Sequence, residues 1–136
     1  MGGIRNGSGR SKCGYYKGIY CGSTYELCWV IYNLEHNIAF KRFAGFLTDG
    51  IIKYYPDFYL EKDNKIIEIK GYKTPLVDYK KELAINNGYN IEILYKDNLK
   101  HVFEYVNKKY NTSKYHTLYD NYKPRSEEHT SELQSR

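Results

Sequence analysis

The sequence predicts an α/β fold with a mixed, mostly antiparallel central sheet flanked by helices, in the order α-β-β-β-α-β-α. Three observations carry it. A capping signature opens a helical stripe at Ser23, alternating residues punctuated by turn signals run from 38 to 70, and strand, proline-started helix and strand succeed one another over 65–95. The length agrees, because 136 residues with 41% hydrophobic against 27% charged suit one soluble core. No run approaches the roughly 18 apolar residues of a membrane span, so a transmembrane protein is excluded.

Ser23-Thr-Tyr-Glu26 has capping-box spacing, and Leu27, Val30, Ile31 and Leu34 follow at i, i+3, i+4 and i+7, which predicts a helix over 24–36. Ile38 to Phe43 alternates as a strand does. Asp49-Gly50 is a hairpin-type turn before an extended 51–55, and further strands are expected at 57–60 and 65–70 around the polar turn Glu61-Lys-Asp-Asn64. These segments should form an antiparallel meander. Thr74-Pro75 reads as an N-cap with proline at the first helical position, and Leu76, Tyr79, Lys80, Leu83 and Ala84 carry a helix over 75–87 to Gly88. A strand over 89–95 then completes a crossover, which implies a parallel pair. Asp97 is placed to cap a last helix whose Leu99, Val102, Phe103, Val106 and Tyr110 share a face.

The chain divides by composition into a Gly-rich basic leader (1–22), a core (23–111), a polar Tyr-rich tail (112–124) and a terminal segment (125–136). The first 24 residues carry Arg5, Arg10, Lys12 and Lys17 and no acidic residue. Phosphate-neutralising cations beside Tyr15 and Tyr16, on a backbone that glycine lets approach closely, suit a nucleic-acid arm; a solvated leader is the plain alternative. No apolar run follows the charges of the first ten residues, so no secretory signal is expected and the cytoplasm is the expected location. Cys13, Cys21 and Cys28 lack the short spacing of zinc ligands and imply no disulfide framework. Arg125 to Ser135 resembles an in-frame translated sequencing adapter. Without residues 125–136 the chain holds 19 basic and 13 acidic residues, or +6, so its basic character belongs to the domain.

The chemistry-bearing constellation is Tyr54-Tyr-Pro-Asp57, ten intervening residues, then Glu68-Ile-Lys70. A hairpin between Asp57 and Glu68 would put two carboxylates and one amine in one sheet region, with Glu68 and Lys70 on one face. Two carboxylates with a carbonyl suit a hard cation such as Mg²⁺, with Mn²⁺ as a substitute, and an adjacent lysine can orient the attacking water. The plain alternative makes Asp57 a turn cap and Glu68 with Lys70 the solvated face of an edge strand.

The order of elements around these motifs resembles the PD-(D/E)XK nuclease superfamily, with a restriction-endonuclease-like core. The match reads Glu26 on the first helix, Pro56-Asp57 on the second or third strand, and Glu68-Ile-Lys70-Gly71 on the next. GYYKGIYCGSTYELCWVIYNLEHNI and YYPDFYL with EIKGY further resemble compact phage-type and homing-endonuclease-like members, over residues 9–110. The resemblance implies a Mg²⁺-dependent DNA endonuclease, acting in the host cell's cytoplasm if phage-encoded. It implies that Asp57, Glu68 and the Ile69 carbonyl ligate the metal, that Lys70 positions the water, and that Glu26 reaches the metal through water. Glu26 also has its capping-box role. Lys80 or Lys81 would assist from the following helix, and Arg5, Arg10, Lys12, Tyr15, Tyr16 and Lys17 would contact DNA. Cutting both strands would call for a homodimer or two sequential nicks. Two other readings stay open, a catalytically inactive nucleic-acid-binding module on the same fold and a basic RNA-associated domain. Gly18-Ile-Tyr20 resembles half of another nuclease signature, GIY-YIG, but no Tyr-Ile-Gly follows, and His36, His101 and His116 form no HNH-like set.

Overall fold

A computed structural model describes residues 12–124. Arg5, Arg10 and the segment 125–136 lie outside the described residues. Where one core is expected, the chain forms two compact units, residues 12–38 with 99–124, and residues 39–98. No helix among the described residues is long and apolar enough to cross a membrane.

The first unit contains strands β1 (Gly14–Tyr16) and β2 (Ile19–Cys21) and helix α1 (Thr24–Glu35). Helix α3 (Lys100–Tyr110), a 3₁₀ turn at Tyr115–Leu118 and a short terminal strand, Asn121–Tyr122, complete it. Half of the supposed leader is thus a hairpin, turned by Lys17 and Gly18 at positive φ, and part of the supposed tail is its third strand, since β1 lies between β2 and Asn121–Tyr122. Gly14 is dictated by this pairing: a Cβ there would sit 2.5 Å from the Asn121 carbonyl oxygen. Helix α1 starts as predicted, with the Ser23 hydroxyl accepting from the Glu26 N–H at 3.2 Å. Its burial is wider than one stripe, because every residue from Glu26 to Ile31 is buried. All three cysteines are buried thiols, and burial pushes Cys28 up to about 12. Helix α3 starts at Lys100 without a side-chain cap; Asp97 instead lies in a 3₁₀ turn, Lys96–Leu99, whose Asn98 side chain accepts the Tyr95 N–H at 2.8 Å.

The second unit holds β3 (Lys41–Arg42), β4 (Leu47–Thr48), β5 (Lys53–Tyr54), β6 (Phe58–Leu60), β7 (Lys65–Ile69), α2 (Pro75–Asn86) and β8 (Asn90–Leu94). The expected continuous meander is corrected here. The four-stranded sheet runs β3-β6-β7-β8, and the β4–β5 hairpin leaves it as a separate two-stranded ribbon. The β7–α2–β8 crossover makes the predicted parallel pair, so the sheet is mixed. Alternation along β7 puts Ile66, Glu68 and then Lys70 on one face, and Ile67 and Ile69 on the other. Ile66 packs in a core with Leu47, Tyr54, Leu83 and Ala84, and each such buried aliphatic side chain contributes about 1.5–3 kcal/mol. The inward face of α2 is Val77, Lys80, Leu83 and Ala84, with Leu76 turned outward. Thr74 stands at the N-cap position, but its hydroxyl makes no capping bond and is buried without a partner among the described residues.

The ribbon's turn is held by Asp49. Its Oδ1 accepts the Ile51 and Ile52 N–H groups at 2.9 and 3.1 Å, and its Oδ2 accepts the Tyr79 hydroxyl of α2 at 2.6 Å. The Tyr79 hydroxyl, followed by these amides, holds the Asp49 carboxyl down at about 2. A depressed folded-state pKa gives stabilisation that is full above the ordinary aspartate value of about 3.9 and disappears as pH falls through the folded value. An NMR titration should therefore find the Ile51 amide shift unmoved down to pH 3.5 and moving near pH 2. A midpoint at the ordinary aspartate value would rule out this bonding.

Candidate active site

The β6–β7 register pairs Phe58 with Ile67, and the same register continued by one step would set Asp57 opposite Glu68. Cross-strand neighbours project on the same face, so Asp57, Glu68 and Lys70 share the face that carries Ile66 and α2. The next step would pair Pro56 with Ile69. Proline has no N–H to give the Ile69 carbonyl, and the Ile69 N–H turns instead to Asp57 Oδ2 at 2.8 Å. The Pro-Asp dipeptide thus removes one ladder bond at the carbonyl named as a ligand and fixes the neighbouring carboxylate with another. On the opposite edge of β7 the Lys70 N–H donates to the Leu94 carbonyl at 2.9 Å, which keeps the strand in place.

Glu68 is only 3% exposed, and β7 is an interior strand. The reading of Glu68 as part of a solvated edge is therefore wrong. The carboxylate is held at both oxygens: the Tyr54 hydroxyl donates to Oε1 at 2.6 Å and the Lys80 ammonium to Oε2 at 2.8 Å. Tyr54 and Lys80 are both fully buried, and the ammonium also lies 5.1 Å from the Tyr54 ring centroid. Of the two lysines suggested on α2, Lys80 points inward and Lys81 is exposed. Tyr54 escaped sequence reasoning; its signal was position, since it ends the strand that leads into Pro56-Asp57. Asp57 and Lys70 are half-buried.

Among the described residues no three His, Cys, Asp or Glu gather as a metal-binding group. The donors here are two carboxylates and a carbonyl. All are hard oxygens, which suits Mg²⁺, an ion that keeps several waters of its own. Each carboxylate oxygen offers two lone pairs, so one hydrogen bond apiece from Tyr54 and Lys80 leaves Glu68 able to ligate. The donor set therefore fits the ion.

Glu26 belongs to the other unit, where its Oε1 accepts the Gly22 N–H at 2.9 Å, a local variant of the predicted capping box. In the same unit Lys12 and Lys17 are exposed, Tyr15 is 41% exposed with its ring edge-on to Tyr20, and Tyr16 is buried. Tyr15 is thus the ring of that pair offered to solvent. Comparison of the chain with protein-family models, with curated proteins and with solved structures gives no match.

Proposed function

We propose that this chain is a metal-dependent DNA endonuclease that hydrolyses phosphodiester bonds. The observation that carries the reading is the β6–β7 register, which ends at Phe58–Ile67 and so brings Asp57 next to Glu68, together with the Ile69 N–H bond to Asp57 Oδ2 beside a proline that has no N–H to give the Ile69 carbonyl. Asp57, Glu68 and the Ile69 carbonyl would hold Mg²⁺, which when bound supplies positive charge to the phosphate and lowers the pKa of water. Tyr54 and Lys80 fix the Glu68 carboxylate in one orientation, so no reorganisation is needed when substrate arrives. Lys70 orients the attacking water as the nucleophile forms. Glu26 joins this set only through the superfamily resemblance. The surplus of +6, with exposed Lys12, Lys17 and Tyr15, supports a phosphate-rich duplex as partner.

One observation favours a second reading. The Lys80 ammonium already neutralises Glu68, as it would in a nucleic-acid-binding module on this fold that has no turnover. Plasmid nicking separates the two. The purified chain should convert supercoiled DNA to the open circle in Mg²⁺ and not in EDTA, and Asp57→Ala should remove the activity while DNA affinity stays within about twofold, since one carboxylate contributes no phosphate contact. Tight DNA binding with no metal-dependent nicking would establish the binding module instead.

A further inference from the structure

Residues 71–73 and 95–98 continue β7 and β8 beyond their carboxyl ends. The Lys70–Leu94 bond keeps the strands paired to that point, so the two continuations leave the sheet as neighbours. Between them lies an open groove of about 440 Å³, lined by Tyr72, Lys73, Tyr95, Lys96, Asp97 and Asn98. This volume falls in the range of small-ligand sites. One wall is fixed, because Asn98 accepts the Tyr95 N–H at 2.8 Å and returns its own N–H to the Tyr95 carbonyl at 2.9 Å. On the other wall the Tyr72 side chain is 66% exposed, a ring face available to a flat ligand. Two ammonium groups against one carboxylate leave the lining net positive. Aromatic faces interleaved with lysines, opening one residue beyond Lys70, have the chemistry that holds a base by stacking and its phosphate by charge.

We infer that this groove seats one unpaired deoxynucleotide of a DNA strand, its base against Tyr72 and Tyr95 and its phosphate against Lys73 and Lys96. The identity of the strand rests on the nuclease reading, and the groove extends that site along the chain being cut. A paired base has its faces covered by neighbouring pairs, so stacking on tyrosine selects an unpaired one.

The test uses the full chain and a fluorescein-labelled oligo(dT) ten nucleotides long in EDTA, with Kd read from anisotropy. Tyr72→Ala should weaken binding about 5- to 150-fold, the span of one lost base stack, and Tyr72→Phe should stay within about twofold. Lys73→Ala and Lys96→Ala should each flatten the dependence of log K on log salt by about 0.7. An unchanged Kd in Tyr72→Ala overturns the inference, as does an equal loss on Tyr72→Ala for a ten-pair duplex, whose bases are covered, or tighter binding of oligo(U). Because no metal is present and no cleavage is read, the two readings fail separately. Nicking by the wild type with a Tyr72-independent Kd removes the groove alone, and a Tyr72-dependent Kd without nicking removes the nuclease alone.

Discussion

Lys80→Ala is expected to lower the free energy of unfolding by about 3–5 kcal/mol, the cost of leaving a buried carboxylate without its partner. The Lys80 side chain is fully buried and that of Glu68 is 4% exposed, so water cannot replace the lost ammonium. The Tyr54 hydroxyl would still donate to Glu68 Oε1, but a single neutral hydrogen bond is worth only about 0.5–1.5 kcal/mol. The control is the double variant Lys80→Met with Glu68→Gln, which removes both charges and should recover most of the loss, because a buried ion pair is often no more stabilising than an uncharged replacement of similar size. Urea unfolding of the three proteins measures this. A loss below about 1 kcal/mol in Lys80→Ala would mean that the pair behaves as an exposed one.

Lys70→Ala should slow single-turnover nicking at saturating Mg²⁺ by about 10²-fold, the usual loss when the attacking group is misplaced by about 1 Å. Asp57, Glu68 and the Ile69 carbonyl are all retained in this variant, so the Mg²⁺ concentration for half-maximal effect should hardly change. Lys70→Arg separates charge from positioning: it keeps a cation at this position but replaces the compact ammonium by a planar guanidinium. It should therefore be as slow as Lys70→Ala. Nicking by Lys70→Ala at the wild-type rate would remove Lys70 from the mechanism while leaving the metal ligands in question untouched.

What the sequence made legible follows from the range of the forces involved. The crossover over 65–95 was readable because each step has a local cause: the alternation of Lys65–Ile69, Pro75 at a helix start, Gly88 at its end. That Asp57 and Glu68 fall in one sheet region was readable from a short turn between two strands. Lys80 was half legible, since it falls on the apolar face of α2, yet nothing local distinguishes a lysine that reaches a buried carboxylate from one that bends to water. Tyr54 looked like one of many tyrosines; only its register against Leu47 in the separate ribbon and its reach to Glu68 mark it out. The β4–β5 ribbon was mistaken for part of the meander because two-residue strands carry too little pattern to show which neighbour they pair with. The same limit hid the strand at Asn121–Tyr122, whose partner lies more than a hundred residues away.

That last strand has a consequence for how the protein is made. Cys13 accepts the Lys123 N–H at 2.7 Å, and Gly14 pairs with Tyr122, so the first unit needs both extremes of the described chain before its sheet is complete. Residues 39–98, by contrast, form a continuous stretch with its own core. On the ribosome, synthesis delivers that stretch whole while α3 and the last strand are still missing. The unit bearing Asp57, Glu68 and Lys70 can then condense first, and the long closure that joins Gly14 to Tyr122 comes last, as the slow, high-contact-order step of folding.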